Sequence, residues 1–104
     1  MSTPFTYFVQ MNATTAWLSL SPDQRHQFIS ETLHPIFHNY PQVTIRLYDA
    51  EAFTASCSDI AVFESERIED YVSLMDDLRN SKIFTVPYFD IIDVIPAIAA
   101  DHLS

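Results

Sequence analysis

From Phe5 to Asn12 the chain alternates: Phe5, Tyr7, Val9 and Met11 fall on one side, Thr6, Phe8, Gln10 and Asn12 on the other. A period of two predicts a β-strand, and Phe8 makes its second face partly apolar. Ser21-Pro22-Asp23-Gln24 then reads as a helix start, with serine as N-cap, proline at the first helical position, an acid in the first turn and glutamine three residues after the cap. Ile29, Leu33, Ile36, Phe37 and Tyr40 follow at helical spacing and predict one buried stripe. Pro35 removes a backbone donor within that stripe and disfavours helical geometry at His34, so a kink is expected there, and Pro41 stops the helix.

Val43 to Asp49 alternates again, with Val43, Ile45 and Leu47 facing in and Thr44, Arg46 and Tyr48 facing out, which predicts an edge strand with one apolar face. After a loop over Ala50 to Ser56, the strand Asp59 to Phe63 carries Ile60, Ala61, Val62 and Phe63 consecutively and should be central. Ser65 is placed to cap a second helix, on which Ile68, Tyr71, Val72, Met75 and Leu78 form the expected stripe. Val86 to Ile95 reads as the last strand, and Ala97 to Ser104 as a tail or an arm onto a partner. This order is the split βαβ of ferredoxin-like domains. The expected fold is therefore α+β, βαββαβ, with residues 1–104 as a single domain: a four-stranded antiparallel sheet with two helices on one face, since right-handed crossovers put both on the same side. The bare face should carry Phe8, Phe63 and apolar residues of the last strand. Pairing of two copies through it, as in a dimeric α/β barrel, is the expected way to cover that patch.

Composition narrows the functional classes. Fourteen acidic residues stand against five basic ones, a net charge of −9, and Arg25, Arg46, Arg67, Arg79 and Lys82 are scattered. Without a positive footprint, nucleic acid and anionic membrane surfaces are not expected partners. No apolar run approaches the roughly 18 residues of a membrane span. The start Met1-Ser2-Thr3-Pro4 lacks the pattern of a signal peptide, so a cytoplasmic protein is expected. The single cysteine, Cys57, forms no intrachain disulfide and has no basic neighbour in sequence to activate it. The chain contains no glycine. Phosphate-cradling loops, which need glycine to bring backbone N–H groups against the anion, are thereby excluded. Positions of positive φ would have to fall to Asn or Asp, and Asn39 and Asn80 lie where the two helices should end.

The strings Ala16-Trp17-Leu18-Ser19-Leu20-Ser21-Pro22, Tyr48-Asp49-Ala50-Glu51-Ala52-Phe53 with Ser58-Asp59 following, and Tyr88-Phe89-Asp90-Ile91-Ile92-Asp93-Val94-Ile95-Pro96 together resemble the darcynin family of small bacterial proteins, over nearly the whole chain from Phe5 to about Ile98. The resemblance implies a fold similar to the dimeric α/β barrels, a group that includes antibiotic-biosynthesis-type monooxygenases, haem-binding chlorite dismutases and several isomerases. It transfers no catalytic residue, and fold does not carry function across such a group.

The residues themselves suggest several constellations. His34 and His38, four apart, have metal-sharing spacing but project away from the Ile29/Leu33/Phe37 stripe and read as solvated, so no metal site is expected. His26 lies at the margin of the stripe, from which it could reach the space between helix and sheet, either as a hydrogen-bonded boundary residue or as an acid–base group. Arg46, Tyr48, Asp49, Glu51 and Asp59 gather around one hairpin. If Arg46 meets Asp59 across it, the pair is a structural salt bridge or dimer contact; the functional alternative is a pocket floor in which Arg46 holds an oxyanion and a carboxylate takes a proton. Asp90 and Asp93, an odd number apart, should point to opposite faces, with one of them buried and paired, in the simplest case with Arg79. Trp17 is either core beneath the first helix or a wall that stacks on a planar ligand. The candidate catalytic residues are thus His26, Arg46, Tyr48 and Asp90, and the candidate ligand contacts Tyr7, Trp17 and Tyr88. Together they frame a binder of a planar or aromatic metabolite, or a cofactor-free monooxygenase-like or isomerase-like enzyme. The alternatives are a non-enzymatic dimeric module whose acidic surface meets a basic partner, and a haem-binding protein.

Overall fold

The computed structural model describes residues 3–103, apart from the side chain of His102. Its order is β1 (Phe5–Ala13), α1 (Thr15–Leu18), α2 (Pro22–Phe28), a π-helical turn (Ile29–Leu33), α3 (His34–His38), β2 (Thr44–Asp49), β3 (Asp59–Ser65), α4 (Ile68–Arg79), α5 (Lys82–Thr85), β4 (Phe89–Ile98) and a 3₁₀ turn (Asp101–Leu103). The strands form one antiparallel sheet in the order β2-β3-β1-β4, the ferredoxin-like arrangement, with β2 at an edge as its one-sided pattern predicts. Tyr7, Val9 and Met11 of β1 and Ala61 and Phe63 of β3 are buried in one cluster with Leu33, Tyr71, Leu74, Met75 and Leu78, so the helices cover a single face. No described helix is long and apolar enough to cross a membrane.

The start of α2 follows its sequence closely. Ser21 Oγ accepts from the Gln24 backbone N–H at 3.1 Å and the Gln24 side chain accepts from the Ser21 N–H at 2.8 Å, a reciprocal cap that fixes where the helix begins. Where a kink is expected near His34, the helix instead passes through the π turn, and the His34 N–H bonds to the Ile29 carbonyl five residues back. A proline ring collides with the carbonyl four residues before it, here that of Glu31, and a wider turn moves that carbonyl aside without ending the helix. Beyond α3, the Tyr40 hydroxyl donates to Asp77 at 2.6 Å and ties this helical run to α4.

Several local expectations are corrected. Asn39 and Asn80 do terminate helices, but both stay right-handed, and no described residue has positive φ; a chain without glycine closes its helices without left-handed caps. Ser65 is the buried last residue of β3 and not a helix cap: its hydroxyl donates to the Arg67 carbonyl and accepts from the Arg67 N–H, turning the chain into α4. The buried stripe of α4 is Tyr71, Leu74, Met75 and Leu78, whereas Ile68 and Val72 stay exposed because the helix is rolled toward its Leu74 side. Phe63 pairs with Tyr7 and faces the helices, so the bare face carries Phe8, Ile60, Val62 and Ile95 instead. The last strand starts at Phe89, after α5, and runs on through Ala97 to Ile98.

Candidate functional site

A cavity of about 250 Å³ lies between the helices and the sheet. Its floor is the row Leu47, Ala61 and Val9, aligned across β2, β3 and β1. Ala61 fills little of the space between its larger neighbours, and Leu47, though on the helix side of the sheet, is 63% exposed because no helix reaches over it. Leu33 and Phe37 from the first helical run and Met75 and Leu78 from α4 form the roof, while Trp17 and Phe89 close one wall. The wall is held locally. Thr14 Oγ1 accepts from the Trp17 N–H at 3.3 Å and donates to the Pro87 carbonyl at 2.7 Å, and the Thr14 N–H bonds to the Tyr88 carbonyl, which pins α1 to the start of β4. The indole packs on Phe28, Tyr88 and Phe89 at 5.2–5.9 Å between ring centres, with the Arg25 guanidinium 5.8 Å from its own ring centre.

Two ionisable residues border this otherwise apolar space, half-buried Asp59 and exposed His34. Asp59 opens β3 opposite Met11 of β1 and Asp49 of β2, which places its carboxyl on the helix face. Ser58 Oγ donates to Asp59 Oδ2 at 2.8 Å and accepts from the Ala13 N–H at 2.7 Å. Burial, the largest cause, lifts the Asp59 carboxyl above its usual range; the Ser58 hydrogen bond pulls it down and Asp49 across the ladder pushes it up further. His34 begins α3 and borders the cavity, with its ring 6.5 Å from that of His38. His34 is exposed, as its projection away from the Ile29/Leu33/Phe37 stripe predicts, although it borders the cavity. Among the described residues no group of three or more His, Cys, Asp or Glu is placed to hold a metal ion.

Of the seven residues singled out from sequence, Trp17 lines the cavity and the other six do not. His26 is exposed on α2, whose inward side is carried by Phe28 and Ile29, so it does not reach the space above the sheet. Arg46 and Tyr48 pair with Val62 and Ile60 and line a shallow depression on the bare face with Phe8 and Glu64. Arg46 therefore stands on the opposite side of the sheet from Asp59, and the salt bridge or shared floor expected of them does not form: positions 59 and 62 of β3 differ by an odd number. Asp90 and Asp93 pair with Asn12 and Gln10, so both point to the bare face and both are exposed. The register slips between Gln10 and Met11, leaving Ile92 as an extra residue in β4, and that bulge cancels the odd spacing. Neither aspartate forms an ion pair with Arg79 among the described residues.

Tyr88 packs on Trp17 and Phe28 without lining the cavity. Tyr7 lies flat on Tyr71, with ring centres 3.6 Å apart and planes within 1°, and its hydroxyl is buried without a hydrogen-bond partner among the described residues. A buried hydroxyl with no partner costs free energy in the folded state. Tyr7→Phe is accordingly expected to raise stability by about 1 kcal/mol; a loss of that size in thermal melting would reveal an unrecognised partner for the hydroxyl.

Comparison with known proteins adds the family. The family model described as "Darcynin, domain of unknown function" matches residues 1–102. The chain belongs to the darcynin family. It is 46% identical to Darcynin 1 of Acinetobacter baumannii over 87 residues, covering 84% of this chain and 97% of that one. It is also 48% identical to Darcynin of Chromobacterium violaceum over 66 residues, covering 64% and 84%. Among solved structures, an arginine-to-lysine variant of chlorite dismutase from Candidatus Nitrospira defluvii superposes on the darcynin fold with a TM-score of 0.79 at 21% identity, over 94% of this chain and 41% of that one. A protein from Thermus thermophilus described as a novel heme-binding protein superposes with a TM-score of 0.70 at 10% identity, over 94% and 40%. The chain thus spans about two-fifths of the length of these structural neighbours. The superpositions establish a common fold, and at identities this low the fold alone.

Proposed function

We propose that this darcynin is a single-domain cytoplasmic protein that binds a small, largely apolar, ring-bearing molecule between its helices and its sheet, and that it works as a homodimer closed through the bare sheet face. The observation that carries the binding reading is the cavity itself: about 250 Å³ walled by Trp17, Phe37, Phe84 and Phe89, with the polar groups confined to Asp59 and His34. Of those two, Asp59 is half-buried and can serve as a base, whereas His34 is exposed. Should the protein turn its ligand over, as a cofactor-free oxygenase or isomerase would, Asp59 and His34 are the groups that border the bound molecule, in place of Arg46, Tyr48 and Asp90.

Haem, named in the description of the Thermus neighbour, fits this geometry poorly. The cavity is smaller than a porphyrin, and no lysine or arginine lines it to pair with propionates. The dimer reading rests on the bare face, where Phe8 is 39% and Ile95 43% exposed beside half-buried Ile60 and Val62.

Trp17 is the only tryptophan in the chain, so its fluorescence reports the cavity wall alone. Titration with 2-phenylethanol, with Trp17 excited at the red edge of its absorption where the probe does not absorb, is expected to give a saturable change in protein emission, and Ala61→Leu, which fills the floor, is expected to weaken it at least tenfold. No saturable change, or an Ala61→Leu variant that melts normally and binds as well as the parent, would overturn the reading.

A further inference from the structure

The polar end of the cavity narrows the class of ligand. Asp59 presents a carboxyl to an apolar space with its Oδ2 held by Ser58, and among the described residues no lysine, arginine or histidine stands within ion-pair distance of it. Directly across the ladder on the same face is Asp49, whose Oδ1 accepts the Glu51 N–H at 3.1 Å. Two like charges opposite one another disfavour the pairing of their strands and leave a local negative potential. The surroundings do not offset it, because the chain carries a net charge of −9 and no basic side chain other than His34 borders the cavity. Anionic ligands would meet repulsion on entry. A neutral ligand would leave the charge of the half-buried carboxyl without a counter-charge.

Resting on the cavity as a binding site, we propose that its ligand is a primary amine in ammonium form on an apolar ring: the ammonium bonds to Asp59 beside Asp49, and the ring lies along Trp17 and the aromatic walls. An ammonium supplies three donors, enough for the free oxygen of Asp59 and for further acceptors at that end. At roughly 30 Å³ per water, the cavity holds the volume of about eight waters, a space suited to one or two rings with a short chain.

Three probes with one body test this: 2-phenylethylamine, 2-phenylethanol and 3-phenylpropionate, titrated by calorimetry near neutral pH. The amine is expected to bind about tenfold or more tightly than the alcohol, as a charge-assisted hydrogen bond provides, and the acid not measurably. Asp59→Asn, which keeps the shape and a contact to Ser58, is expected to abolish the preference for the amine over the alcohol. If amine and alcohol bind the parent equally, or Asp59→Asn keeps the preference for the amine, the proposal is wrong and the cavity reading stands. If none of the three binds, both are wrong. An Asp59→Asn variant that does not fold is recognised by its melting curve; the comparison of the three probes on the parent then decides the matter.

Discussion

Leu74→Ala is expected to lower stability by about 3 kcal/mol, which for a chain of this size corresponds to a fall of roughly 12–24 °C in melting temperature. Leu74 is 0% exposed and sits at the centre of the stripe that α4 lays against the sheet. Truncation removes buried methyl groups and leaves a void that close-packed neighbours fill only in part. Val72→Ala, two residues earlier on the same helix, is the control: Val72 is 47% exposed, and its truncation should cost no more than about 0.5 kcal/mol. Equal losses at the two sites, measured by thermal or urea unfolding, would mean that α4 is rolled differently from the arrangement described here.

The second large effect concerns assembly. Phe8→Lys is expected to convert a dimer into a particle of about 12.0 kDa in sedimentation equilibrium, with the dissociation constant raised at least a hundredfold. Phe8 stands on a central strand between Val62 of β3 and Ile95 of β4, so a lysine there would put a charge in the middle of the apolar contact. Its side chain points away from the helices, and the monomer fold should survive, as melting of the diluted variant can verify. A parent protein that already sediments as a monomer at micromolar concentration would remove the dimer from the proposed function and leave the cavity reading intact.

Much of the architecture was legible in the chain. The period-two runs of β1 and β2, the Ser21 capping box and the consecutive apolar residues of β3 each express a local rule, and local rules survive into the structure because neighbouring residues supply their own reference frame. The candidate site was much less legible. The sequence leaves Trp17 open between core and cavity wall, and it marks Asp59 near the hairpin without the register that parts it from Arg46. The projection of His34 to solvent holds across the π turn, since the residue is exposed although it borders the cavity.

By itself, then, the sequence determined the kinds of elements, their order, the acidic charge balance and the absence of glycine-built anion sites. Tertiary structure alone decided which side chains share a face: the register of β2 on β3 parts Arg46 from Asp59, the bulge at Ile92 brings Asp90 and Asp93 to the same side, and the roll of α4 exchanges Val72 for Leu74. The reason is physical. A slip of one residue in a ladder inverts every side chain beyond it, and such slips are set by packing between segments distant in sequence. Alternation within one segment carries no record of its partner's phase.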